Sequence, residues 1–187
     1  MNRSVNKFPA TLLLADGTVY TGTSIGKIGT TTGELCFNTG MTGYQEIFTD
    51  PSYSGQLLVQ TNVHIGNYGI HPTEEESDTI KIAGLVCKSF NVPHSRKQSD
   101  QSVQYYFAMN NIVGIADVVS REIVRHVRSK GAMNAIISAE GKSIEELKAE
   151  LAAVPSMEGL ELSSSVSTSQ TYFLGNDAAP KRVAVLD

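Results

Sequence analysis

The 187-residue sequence is poor in charge, poor in cysteine and free of long apolar runs. Charged residues make up 18% of it and apolar residues 41%, a balance that supports a packed core and excludes a disordered chain. No stretch approaches the roughly 18 uninterrupted apolar residues of a membrane helix. The N-terminal Met1 to Ala10 carries Arg3 and Lys7 but no apolar centre, so no secretory signal is visible and a cytoplasmic, reducing location is expected. Fifteen basic residues against nineteen acidic ones leave a net charge of −4. With no basic block to follow a phosphate backbone, nucleic acid is not an expected partner.

The two cysteines, Cys36 and Cys87, lie in apolar, strand-like runs and read as buried thiols. Neither has the small neighbours that a strained nucleophile elbow requires, since Leu35 and Phe37 flank one, Val86 and Lys88 the other. Cys-x-x-Cys and His-x-x-x-His spacings are absent, so no metal site is expected. Gly22, Gly26, Gly29 and Gly33 resemble a phosphate loop only superficially. Ile28 follows Gly26-Lys27 where a hydroxyl residue is required, and Thr21 occupies the place of the first glycine. These glycines read as turn and hairpin residues. His64, His71, His94 and His126 are not spaced to pair with a nucleophile and read as structural or surface residues.

What is present is a strand-rich first half and a helix-bearing second half, a mixed α/β pattern. Thr11 to Ala15 and Thr18 to Thr23 flank Asp16-Gly17, a pair suited to a type I′ hairpin. Gly33 to Thr39 alternates, with Leu35 and Phe37 on one face and Cys36 on the other, and Gln56 to Thr61 and Ile80 to Lys88 are further strands. The glycine-rich stretch His64 to Gly69 reads as a shaped loop, and the acidic run Glu74 to Asp78 as a solvated turn or helix start. Ser99 or Asp100 is suited to cap a helix that buries Val103, Tyr106 and Phe107. Ile112 to Ala116 is a short apolar strand, and Ser120 opens a helix through Ile123, Val124 and Val127 that Gly131 stops. Met133 to Ser138 returns as a strand. Ser143-Ile144-Glu145-Glu146 is a capping box, with Ile144, Leu147, Leu151 and Val154 as its apolar stripe. These elements fill residues 1–162. Residues 163–180 are polar and linker-like, and 181–187 have the basic-then-apolar pattern that opens a parallel strand, which suggests a chain cut at a domain boundary.

The stretch Asn38 to Gly55 is dense in glycine, hydroxyl, amide and carboxylate groups, which are costly to order unless they meet partners. Asp50-Pro51-Ser52 reads as a helix entry, with free N–H groups beside the Ser52 hydroxyl and Asp50 as a candidate cap. Either a well-bonded turn or a surface for a small polar ligand or partner chain accounts for such a segment.

The string Phe37-Asn38-Thr39-Gly40-Met41-Thr42-Gly43-Tyr44-Gln45-Glu46, then Thr49 through Gln56, then Ile65-Gly66-Asn67-Tyr68-Gly69, closely resembles the small chain of glutamine-hydrolysing carbamoyl phosphate synthase. Asp16-Gly17 with Gly22, Ile115-Ala116-Asp117, Arg121, and Arg128 through Asn134 extend the match in order from about Leu12 to Ile137. The resemblance implies a swivelling β/β/α-type N-terminal domain over 1–162, a linker over 163–180 and the first strand of a truncated class I glutamine amidotransferase domain over 181–187. The Cys-His-Glu triad would then lie beyond Asp187, so this chain would hold no catalytic residue. The whole enzyme, a carbon–nitrogen ligase serving arginine and pyrimidine synthesis, would hydrolyse glutamine and channel ammonia to a large subunit that uses ATP and Mg with bicarbonate. No cofactor is expected on this chain itself.

Residue by residue, the resemblance gives Ser52 a part in binding glutamine and places Met41 and Asp50 at the mouth of the ammonia tunnel. A hydroxyl both donates and accepts, as an amino acid ligand requires. Two departures stand out: Gly40 replaces a serine frequent in the family, and Val119-Ser120-Arg121 stands where relatives commonly read Asp-Thr-Arg. The competing readings are a free-standing adaptor or ligand-binding module without an amidotransferase, and a hydrolase using Cys36 or Cys87.

Overall fold

A computed structural model describes residues 8–176 and 178–186. Seven strands, β1 (Pro9–Leu14), β2 (Val19–Gly26), β3 (Thr30–Asn38), β4 (Leu57–Ile65), β5 (Gly84–Phe90), β6 (Val113–Ala116) and β7 (Asn134–Ser138), close into a barrel. Their order around it is β1-β2-β6-β5-β4-β3-β7. The steps β3–β4, β4–β5 and β5–β6 are parallel, and the other four are antiparallel. Parallel neighbours need crossovers, which α1 (Tyr44–Thr49) helps to supply between β3 and β4 and α2 (Val103–Met109) between β5 and β6. The mixed α/β class expected from the sequence is what forms. No described helix is long and apolar enough to cross a membrane.

Alternation along the strands sorts the side chains. Leu12, Leu14, Leu35, Leu57, Val59, Val86, Ile115 and Ile137 converge in one cluster, the barrel interior. Helix α3 (Ser120–Lys130) adds Ile123 and Val127 to that cluster and so plugs the barrel. On the outer surface Leu58, Leu85 and Cys87 pack beneath Tyr44 and Phe48 of α1 and Phe107 of α2. Leu13 and Ile136, also facing outward, meet Leu147 and Leu151 of α4 (Ile144–Ala152). The capping box forms as read: Ser143 Oγ accepts from Glu146 N, and Glu146 Oε2 accepts from Ser143 N at 2.7 Å.

Several local expectations are corrected. The first hairpin is not a type I′ turn, because only Gly17 has positive φ (+89°) while Asp16 does not. Gly17 N donates to Leu14 O and Leu14 N to Thr18 O, the bonding of a three-residue loop with a glycine bulge. Asp16 instead accepts from Thr18 N, and this bond foremost, with His126 adding to it, holds its carboxyl below the usual carboxylate range. Strand β5 begins only at Gly84, because the N–H groups of Lys81 and Ala83 bond to Phe48 O and Gln56 O rather than to a strand. The cap of α2 is Ser102, not Ser99 or Asp100, since Asp100 and Gln101 bond with Ile70. Ser120 is the first residue of α3 and is buried, and the cap position falls on Val119, which has no side-chain acceptor. The acidic run forms bends and turn, not a helix. A short α5 (Ser163–Val166) interrupts the linker. Residues 181–186 are exposed and lie outside the barrel.

Gly22 and Gly33 lie within β2 and β3 rather than in turns, and close packing accounts for Gly22: a Cβ there would sit 2.2 Å from Ala116 O of the neighbouring β6.

One buried polar side chain stands out. Gln60 on β4 is fully buried, and neither amide atom has a partner among the described residues. An unsatisfied buried amide destabilises by about 1–3 kcal/mol, whereas an apolar replacement of similar shape is neutral or better. Gln60→Leu is therefore expected to raise the melting temperature by about 2–4 °C. A comparable fall in a thermal melt would show that the amide is bonded in solution.

Candidate functional site

The polar stretch Asn38 to Gly55 is ordered by bonds among its own residues and by bonds to the end of β4 and the loop after it. At the end of β3, Asn38 Oδ1 accepts from Gly40 N at 2.6 Å and its Nδ2 donates to Tyr53 OH at 2.8 Å, so one amide braces both ends of the segment. Gly43, at φ +77°, turns the chain into α1 without a side-chain cap of its own. The phenol of Tyr68 supplies the missing acceptor, taking the N–H groups of Gly43 (2.9 Å) and Tyr44 (3.0 Å). Tyr44 stacks on Tyr68 with ring centroids 4.0 Å apart and donates its hydroxyl to Gly69 O. Burial pushes the Tyr44 phenol well above its ordinary pKa, which keeps it a neutral donor.

Gln45 is fully buried and fully used. Its Nε2 donates to His71 O at 2.7 Å, and its Oε1 accepts from His71 N at 2.8 Å, a two-bond clamp onto the loop after Gly69. Thr49, also fully buried, donates to Gln45 O and accepts from Glu76 N. The acidic run is thus a bracket for α1. Glu75 accepts from Tyr106 OH of α2, and Glu74 pairs with Arg96 at 2.6 Å.

On this frame sits the Asp-Pro-Ser turn. Asp50 Oδ1 accepts from Ser52 N at 2.8 Å and caps a single 3₁₀ turn, Pro51–Tyr53. The helix entry read here forms, with Pro51 at its first position, and it lasts one turn because Gly55 (φ +73°) and Gln56 deliver the chain directly into β4. Asp50 is half-buried and Ser52 exposed. The serine faces a small pocket of about 130 Å³ shared with Ser54, Met157, Leu162, Ser163 and Val166. Met41 stands apart on the preceding loop, 69% exposed, its carbonyl fixed by Asn62 Nδ2 at 2.7 Å. Asp50 and Ser52 are therefore brought together, while Met41 is held separately.

Elsewhere among the described residues neither cysteine is set up as a nucleophile. Both thiols are free. Burial, with Glu34 beside it, pushes Cys36 up to about 12, and complete burial raises Cys87 as well. His71 bonds Thr73 Oγ1 through Nδ1, and His126 bonds Asp16 at 2.6 Å. Tyr68, Gln45, Asn38 and Tyr53 were not foreseen individually as the framework. Their signal was the run Asn67-Tyr68-Gly69 itself, an aromatic set between glycines with no strand or helix to bury it.

Comparison with known proteins matches this chain to the family model of the carbamoyl-phosphate synthase small chain, CPSase domain, over residues 12–137. The chain belongs to that family. It is 42% identical over 183 residues to the carbamoyl phosphate synthase small chain of Chlorobaculum tepidum, covering 98% of this chain and 50% of that one. To those of a Synechococcus species and of Vibrio cholerae it is 47% and 46% identical, over 87% of this chain and 42% and 43% of theirs. The chain thus spans half or less of the length of these curated relatives. The resemblance seen in the sequence between Leu12 and Ile137 is confirmed over the same residues.

Two outcomes follow from the geometry. Asp50→Ala, which removes the cap, is expected to lower stability by about 1 kcal/mol, while Asp50→Asn keeps an acceptor and most of the stability; urea unfolding of both variants checks it. Neither thiol should react with iodoacetamide near neutral pH while the barrel is folded, and both should react on denaturation. Rapid native labelling would revive the cysteine hydrolase.

Proposed function

We propose that this chain is the N-terminal part of the small subunit of a glutamine-hydrolysing carbamoyl phosphate synthase. In this reading it docks to a large subunit, lends Ser52 to a glutamine site completed by an amidotransferase domain, and shapes the mouth of an ammonia tunnel with Met41 and Asp50. Residues 1–162 are the N-terminal domain, 163–180 the linker, and 181–187 the start of the amidotransferase domain. Glutamine hydrolysis belongs to that further domain, and ATP with Mg to the large subunit. The protein works in the cytoplasm.

The observation that carries the reading is the Asp50–Ser52 turn. It is capped by Asp50, yet it leaves the serine side chain exposed, its hydroxyl without a hydrogen-bond partner among the described residues, beside a pocket of about 130 Å³. A hydroxyl presented in this way is suited to an amino acid whose remaining contacts come from another surface. Asp50 serves first as the cap, and its second carboxylate oxygen stays available to a passing donor.

In the complete small chain with its large subunit, Ser52→Ala should reduce kcat/KM for glutamine about 10- to 100-fold, the scale of a lost hydrogen bond to a charged ligand. Synthesis from added ammonia should be unchanged. Equal loss with both nitrogen sources would refute the role.

A further inference from the structure

Helix α3 has two faces of opposite character. One carries Ser120, Ile123 and Val127, all buried, and fixes the helix in the barrel. The other carries Arg121, Arg125 and Arg128, and Lys130 ends the helix, all four exposed. Glu122 is the single acidic residue of the helix, so this one element is net +3 in a chain of net −4.

Some cations elsewhere in the chain are paired, although Lys27, Lys88, Lys97 and Lys148 are in no salt bridge among the described residues. Lys81, Arg96 and Lys142 each hold a carboxylate, at 3.2, 2.6 and 2.8 Å. Among the described residues none of the four α3 cations is in a salt bridge. The neighbouring His126 is drawn aside to Asp16 of the first hairpin. Arg121 and Arg125 stand one turn apart and therefore project side by side. With Glu122, Ser129 and Lys130 they line an open depression at whose edge Val119 is 57% exposed. Unpaired arginines on a rigid helix beside an exposed aliphatic residue have the character of an interface: guanidinium forks for carboxylates, and an apolar contact to be covered.

We propose that the outer face of α3 docks a carboxylate-rich strip of the large subunit, an inference that rests on the reading of this chain as a small-subunit domain. The occupant is an acidic protein surface rather than nucleic acid. The basic patch is one helix long, and the rest of the chain carries an excess of acid that would repel a phosphate backbone running past it.

The test uses the complete small chain and purified large subunit, with association followed by biolayer interferometry between about 50 and 300 mM salt. R121E/R125E should lower the association rate about tenfold at the lowest salt, with the gap closing as salt rises and dissociation little changed. The neutral pair R121Q/R125Q should fall between it and the parent. Lys148→Glu, reversing an exposed charge on α4, should leave association unaltered. An R121E/R125E variant that folds, binds at the parent rate and keeps the parent salt dependence overturns this inference alone. Failure of the parent small chain to bind the large subunit overturns the docking reading as well. Tight, α3-dependent binding of a labelled single-stranded oligonucleotide would overturn the choice of an acidic protein partner.

Discussion

Closure of the sheet is the constraint on which the rest depends. β1 bonds β2 on one side and β7 on the other, and β7 in turn bonds β3, so every strand has two neighbours. Closure removes the free edges that an open sheet would have to protect. It also fixes what is inside: a slip of one residue in β3 would exchange Leu35 and Phe37 for Cys36 and turn the interior outward. The Asn38 amide, which braces the polar segment, follows from that register, because Asn38 stands opposite Gln60 at the end of the β3–β4 ladder.

The site is built by a second layer of constraint. α1 has only six residues, too few to be stable alone, and its orphan N–H groups are taken by a tyrosine 25 residues away in sequence. The clamp between Gln45 and His71 then fixes the helix to the loop beyond Gly69. Polar groups that are expensive to bury are here the means of specifying one loop geometry, because Gln45 and Thr49, both fully buried, find their partners in this arrangement. The Asp50–Ser52 turn therefore stands on a prepared surface although it is itself only three residues of 3₁₀ helix.

Much of this was legible in the sequence where a signal is local. Strand alternation at Leu35, Cys36 and Phe37, the capping box at Ser143 and Glu146, and the Gly131 stop of α3 all depend on neighbours a few residues away. Barrel closure was not legible, because it joins β1 to β7 across more than 120 residues and nothing in either strand names the other. The cap of α2 was displaced for the same kind of reason: Ser99 and Asp100 have capping chemistry, but pairing of Ile70 with Gln101 claims that stretch first. At the site, the dense polar composition announced that partners were required. That the partners are Tyr68, His71 and Glu76 only the folded loop reveals.

The plug and the Asp-Pro-Ser turn are linked through β4. The turn runs by way of Gly55 and Gln56 into Leu57, and Leu57 shares the interior cluster with Ile123 and Val127 of α3. Tightly packed interiors yield little, so a face of α3 and the Ser52 hydroxyl keep a fixed relation to each other. That rigidity has a functional consequence. Any surface that positions α3 also positions Ser52, with no hinge needed between them. A site completed by groups from outside the barrel can then be aligned by docking alone, since productive geometry demands placement to a fraction of an ångström and loose elements do not provide it.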